Sequence, residues 1–118
     1  MLLKNANKQL GENKQVVMTA VENDGLALQF AALILKSDED IVKAAITQNA
    51  QSIKFADNSC LDNMKLMAIV VKQDGLLLKN ASIRLRADKF IVRDAVRNNP
   101  RALEYADDDI RNEEDFIY

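Results

Sequence analysis

The stretch DGLALQFA, from Asp24 to Ala31, returns fifty residues on as DGLLLKNA, from Asp74 to Ala81. A chain that repeats itself this closely builds its fold from one unit used several times, each copy burying its apolar side against the next. Cut every 25 residues from Asn13, the sequence gives four units without a gap, 13–37, 38–62, 63–87 and 88–112. Residues 1–12 continue the pattern backwards as a partial unit, with LLKNA at Leu2–Ala6 repeated at Leu77–Ala81, and residues 113–118 open another. The whole of 1–118 is expected to form a single helical-repeat domain.

Physical chemistry explains which columns stay fixed. Each unit opens on Asn13, Asp38, Asn63 or Asp88, side chains that accept hydrogen bonds from the free N–H groups of a first helical turn. Apolar pairs come next at Val16/Val17, Ile41/Val42, Leu66/Met67 and Ile91/Val92, and again four residues on. That spacing marks one stripe of a helix about ten residues long. A second helix is predicted to start after the capping residues Asp24, Asn49, Asp74 and Asn99. Pro100 shares a column with Gly25, Ala50 and Gly75, so the column needs no left-handed glycine, and the glycines read as residues tolerating a tight corner. Leu28, Ala31 and Leu35, with their counterparts in every unit, form its apolar stripe. The unvarying alanine (Ala6, Ala31, Ala56, Ala81, Ala106) suggests a close helix crossing that leucine would overpack. The expected fold is all-α, a short αα-repeat solenoid of helix-turn-helix units stacked side by side.

The run V–V…A–V…N/D–G…L…A…L resembles the bacterial and protist repeat family known as domain of unknown function 4116. The resemblance covers almost the whole chain, and unit two departs most, with Ala50-Gln51-Ser52 where units one and three have glycine followed by apolar residues. It implies a tandem helical array, often inside larger proteins, and carries no catalytic residues with it. The chain is expected to be a segment of a longer array.

Composition narrows the chemistry. With 48% apolar and 29% charged residues, a net charge of −2 and a pI near 5.1, the chain suits a globular protein that no global charge steers toward nucleic acid or anionic membrane. It has no histidine and one cysteine, which leaves no internal disulfide, no Cys/His zinc set and none of the commonest general base. Cys60 stands in a column of leucine and isoleucine and reads as a small core residue. The acidic run Asp107-Asp108-Asp109 lacks the ligand spacing of a calcium loop and reads as a solvated helix end. No catalytic residue, cofactor or metal is expected. The apolar runs are too short to span a membrane and the N-terminus lacks a secretory apolar segment, so a cytoplasmic setting is expected.

Two candidate binding surfaces remain. The units carry net charges of 0, −3, +4 and −1, and Lys72, Arg93 and Arg97 fall where stacked helices would gather one basic patch. The same spacing suits an ordinary charged face opposite the core. Leu33 and Ile34 stand where other units have Lys8/Gln9, Asn58/Ser59, Ile83/Arg84 and Asp108/Asp109. They either expose apolar surface to a partner or a second copy, or mark a local adjustment of packing. The expected function is a non-catalytic protein–protein interaction scaffold with an unidentified protein partner; the alternative is a structural spacer or regulatory segment of a larger protein. Overall acidity and sparse aromatics count against nucleic acid.

Overall fold

A computed structural model of the chain describes residues 13–112. The partial units expected at 1–12 and 113–118, with Ala6 among them, lie outside the described residues. Every regular element among the described residues is helical. Each unit contributes one ten-residue α-helix: α1 (Lys14–Asn23), α2 (Glu39–Gln48), α3 (Met64–Gln73) and α5 (Lys89–Asn98). Two shorter α-helices, α4 (Ile83–Arg86) and α6 (Asp108–Arg111), lie in the later units. The predicted caps start all four long helices: the Val16 N–H donates to Asn13 Oδ1 at 3.1 Å, and Asp38, Asn63 and Asp88 accept in the same way. The apolar stripe is buried, with Val17, Val21, Ile41, Val42, Ala45 and Ile46 almost wholly removed from solvent in the first two units.

The second element differs from the prediction. The caps Asp24, Asn49, Asp74 and Asn99 hold as predicted, and Pro100 occupies the first turn. Each cap, however, starts a six-residue 3₁₀-helix, as in Gly25–Phe30 and Gly75–Asn80, rather than an α-helix running on to Leu35. The fixed alanine ends it in extended conformation, with φ −72° and ψ 155° at Ala31. The reason lies in the next residue's backbone. The Asp57 N–H donates to Lys36 O of the preceding unit at 2.9 Å, and Ser82 and Asp107 do the same to Leu61 O and Arg86 O. An uninterrupted helix would consume those donors internally. The alanine therefore joins two short elements and does not lie inside one helix; Ala31, Ala81 and Ala106 are buried and Ala56 is half-buried.

A close backbone approach is found at the glycines. No described residue has positive φ, so Gly25 and Gly75 are needed for approach, not for conformation. A Cβ on Gly25 would collide with the Ala45 carbonyl of α2 and lie 2.6 Å from Ser52 Oγ; one on Gly75 would collide with the Ala95 carbonyl of α5. At that contact the Gly25 N–H donates to Gln48 Oε1 at 2.6 Å, and the Gly75 N–H to Asn98 Oδ1 at 2.7 Å. Asn98 also donates from Nδ2 to Lys72 O at 3.0 Å, satisfying a carbonyl at the end of α3. The glycines do more than tolerate a corner.

These contacts group the chain by fifties. It divides into two compact halves, Met1–Cys60 and Leu61–Tyr118. In the first half α1 lies beside α2 and the 3₁₀-helix Gly25–Phe30 packs on both and on Ala50–Phe55. In the second, α3 lies beside α5, and Gly75–Asn80 packs on both and on Pro100–Tyr105.

Candidate functional site

Each half sets two long helices side by side, and in the first half they leave a groove along their outer surface. In the first half the groove is open, about 510 Å³ in volume, and is lined by Met18 and Glu22 from α1 with Asp40, Lys43, Ala44 and Thr47 from α2. At its N-terminal end Lys14 Nζ lies 3.1 Å from Asp38 and 3.3 Å from Asp40, tying the two helices together. Partial burial works to raise the Asp38 pKa, but the Ile41 N–H bond and Lys14 outweigh it and hold the carboxyl below its ordinary value. Hydrogen bonds to Asp38 and then Asp40 raise the Lys14 pKa in turn.

Fifty residues on, the corresponding positions hold Ala68 and Lys72 on α3, with Phe90, Arg93, Asp94 and Arg97 on α5. Lys72 lies on α3 and Arg93 and Arg97 on α5, the helix beside it. Between the two arginines α5 carries Asp94, whose carboxylate lies 4.0 Å from Lys72 Nζ and faces the lysine's charge. Arg93 is half-exposed and Arg97 exposed, one helical turn apart. Phe90, in the first turn of α5, is 71% exposed. Sequence reasoning missed it, although its column was informative: Gln15, Asp40 and Lys65 stand there in the other units.

The second predicted surface is also solvent-facing. Leu33 is 82% exposed and Ile34 76% exposed, just before the short 3₁₀-helix Leu35–Ser37 that their neighbour Leu35 anchors in the core. Ile83, the counterpart of Leu33, is 79% exposed. The counterpart of Ile34 is Arg84, whose Nε donates to Asp62 Oδ1 at 2.9 Å while the Ser82 hydroxyl donates to the same oxygen at 2.6 Å. Those two bonds, Ser82 first, hold the Asp62 carboxyl below its ordinary pKa.

Cys60 and the acidic run near the end of the described residues take part in packing and capping. Cys60 is buried, its thiol donates to Lys36 O at 3.6 Å, and desolvation raises its pKa away from the reactive thiolate. Asp107 caps α6 by accepting from the Asp109 N–H at 3.1 Å, and Asp108 pairs with Arg111. Among the described residues no group of three or more acidic or sulfur side chains is placed to hold a metal, and no helix is long and apolar enough to cross a membrane. Ser52 Oγ, packed beside Gly25, is wholly buried without a hydrogen-bond partner.

A family model described as domain of unknown function (DUF4116) matches residues 13–60 and again 63–117. Each match spans two of the 25-residue units, which is the grouping that the glycine contacts impose. No curated protein and no solved structure matches the chain.

Proposed function

The chain belongs to the DUF4116 family, with two tandem copies of its unit, and from that premise we propose that it is a non-catalytic protein–protein interaction scaffold working in the cytoplasm. One observation carries the reading. Leu33 and Ile83 occupy the same position in the two copies and each exposes about four-fifths of its surface, 82% and 79%, while the leucines two residues on, Leu35 and Leu85, are buried. A packing need would place these side chains inward; exposure repeated at one position supports a surface kept for contact. The helical array fixes the shape through its buried columns and leaves the exposed columns free to vary.

The test is replacement within the protein that carries this chain. Leu33→Glu and Ile83→Glu should abolish association with its partner in cross-linking without changing the helical circular-dichroism spectrum. A spacer behaves otherwise: an unrelated rigid helical repeat of equal length then restores function, and the two glutamate variants are silent.

A further inference from the structure

The two copies serve as internal controls for each other, and the faces of their paired helices differ in chemistry. The first groove offers Glu22, Asp40 and Lys43 around Met18 and Ala44, with Asp40 already held by Lys14. The second half places a lysine at the position of Glu22, an arginine at that of Thr47, and a phenylalanine at that of Asp40. Lys72 is matched by Asp94 at 4.0 Å, but neither Arg93 nor Arg97 has a carboxylate within ion-pair distance among the described residues. Two arginines without a carboxylate in ion-pair contact, one turn apart and on the same helix as an exposed aromatic, form a cationic surface with an apolar end.

We propose that the α3–α5 face binds an acidic amphipathic peptide segment of a protein partner, its carboxylates pairing with Arg93 and Arg97 and an apolar side chain resting on Phe90. This rests on the scaffold reading and gives that partner its chemistry. Charge complementarity selects the occupant: the guanidinium fork matches a carboxylate in bidentate geometry. A polynucleotide fits less well, because two arginines neutralise too few phosphates to hold a strand, whereas they suffice for a short acidic segment.

The probe is a fluorescein-labelled peptide with glutamates at four-residue spacing on one helical face and leucines on the other, titrated into the full chain and read by anisotropy. Its glutamine counterpart and a labelled single-stranded DNA oligonucleotide are run beside it. Binding of the glutamate peptide should weaken about tenfold in Arg93→Glu/Arg97→Glu, weaken less in Arg93→Gln/Arg97→Gln, and be unchanged in Lys43→Glu, the matching position of the first groove. Absence of measurable binding, or equal binding of the glutamine peptide or of the double glutamate variant, overturns the role of this face. It leaves the scaffold reading standing, because the Leu33 and Ile83 variants test that separately. Tighter binding of the oligonucleotide than of the glutamate peptide overturns the proposal in favour of nucleic acid.

Discussion

At the N-terminal end of its paired helices the first half holds Lys14 against Asp38 and Asp40. The second half has Met64 where the first has Lys14, and Phe90 where it has Asp40. An ionic clasp in one copy is replaced by two large apolar side chains in the other, while the helix bounds are the same after a shift of fifty residues. The glycine contact behaves in the opposite way. Gly25 meets Ala45 as Gly75 meets Ala95, and an amide side chain accepts from the glycine N–H in both. The comparison separates what the fold requires from what it permits: the buried backbone approach is retained, and the groove chemistry is free to change.

The largest effect should come from breaking the shared contact. Gly75→Ala and Gly25→Ala each drive a Cβ into a backbone carbonyl that no rotamer change relieves, and each should lose about 3 kcal/mol in urea unfolding. If only one of them destabilises, the two halves are not built alike. Asn98→Ala comes next. It leaves the Gly75 N–H without its acceptor and the Lys72 carbonyl without its donor, a loss of about 2 kcal/mol; Gln48→Ala strands the Gly25 N–H and should cost about 1 kcal/mol. Equal losses would mean that the additional Asn98 bond contributes nothing.

Ser52→Ala carries the second half's residue into the first, since Ala102 is the counterpart of Ser52 and is equally buried. Removing an unpaired hydroxyl should stabilise the protein by about 1 kcal/mol, read as a raised unfolding midpoint. Destabilisation would reveal a partner for that oxygen. The smallest effect concerns the ionic clasp. Because the Asp38 pKa is lowered in the folded state, its contribution is present above the unfolded value and disappears as pH falls through the folded one. Asp38→Asn keeps the helix cap but not the charge, so its stability should fall less than the parent's between about pH 5 and pH 2. Identical acid profiles would show that solvent screens the clasp completely.

Much of this was legible in the sequence. The eight caps and the stripe of Val17, Ile41, Met67 and Val92 come from local preference and period, and the structure places them as predicted. The 3₁₀ geometry was not, because Leu28, Ala31 and Leu35 are spaced as an α-helix would space them. The break at alanine comes from the Asp57 and Asp107 N–H groups bonding to a preceding unit, a contact between units that local periodicity does not record. The amide column Asn23, Gln48, Gln73 and Asn98 was visible in every unit, yet its purpose appears only when Gln48 and Asn98 are seen against the glycines. Comparison in steps of 25 also obscured the charge of the paired-helix faces. Lys72 aligns with Arg97 in that register, whereas in steps of fifty it opposes Glu22 and shows the reversal of charge.

Amide hydrogen exchange at Gly25 and Gly75, followed by NMR in the parent and in Asn98→Ala, tests the fifty-residue unit most directly. Both N–H groups should be strongly protected in the parent, and in the variant Gly75 alone should lose its protection while Gly25 keeps its own. Free exchange at either glycine in the parent, or protection at Gly75 that survives loss of the Asn98 amide, would contradict a repeat closed by the glycine–amide contact.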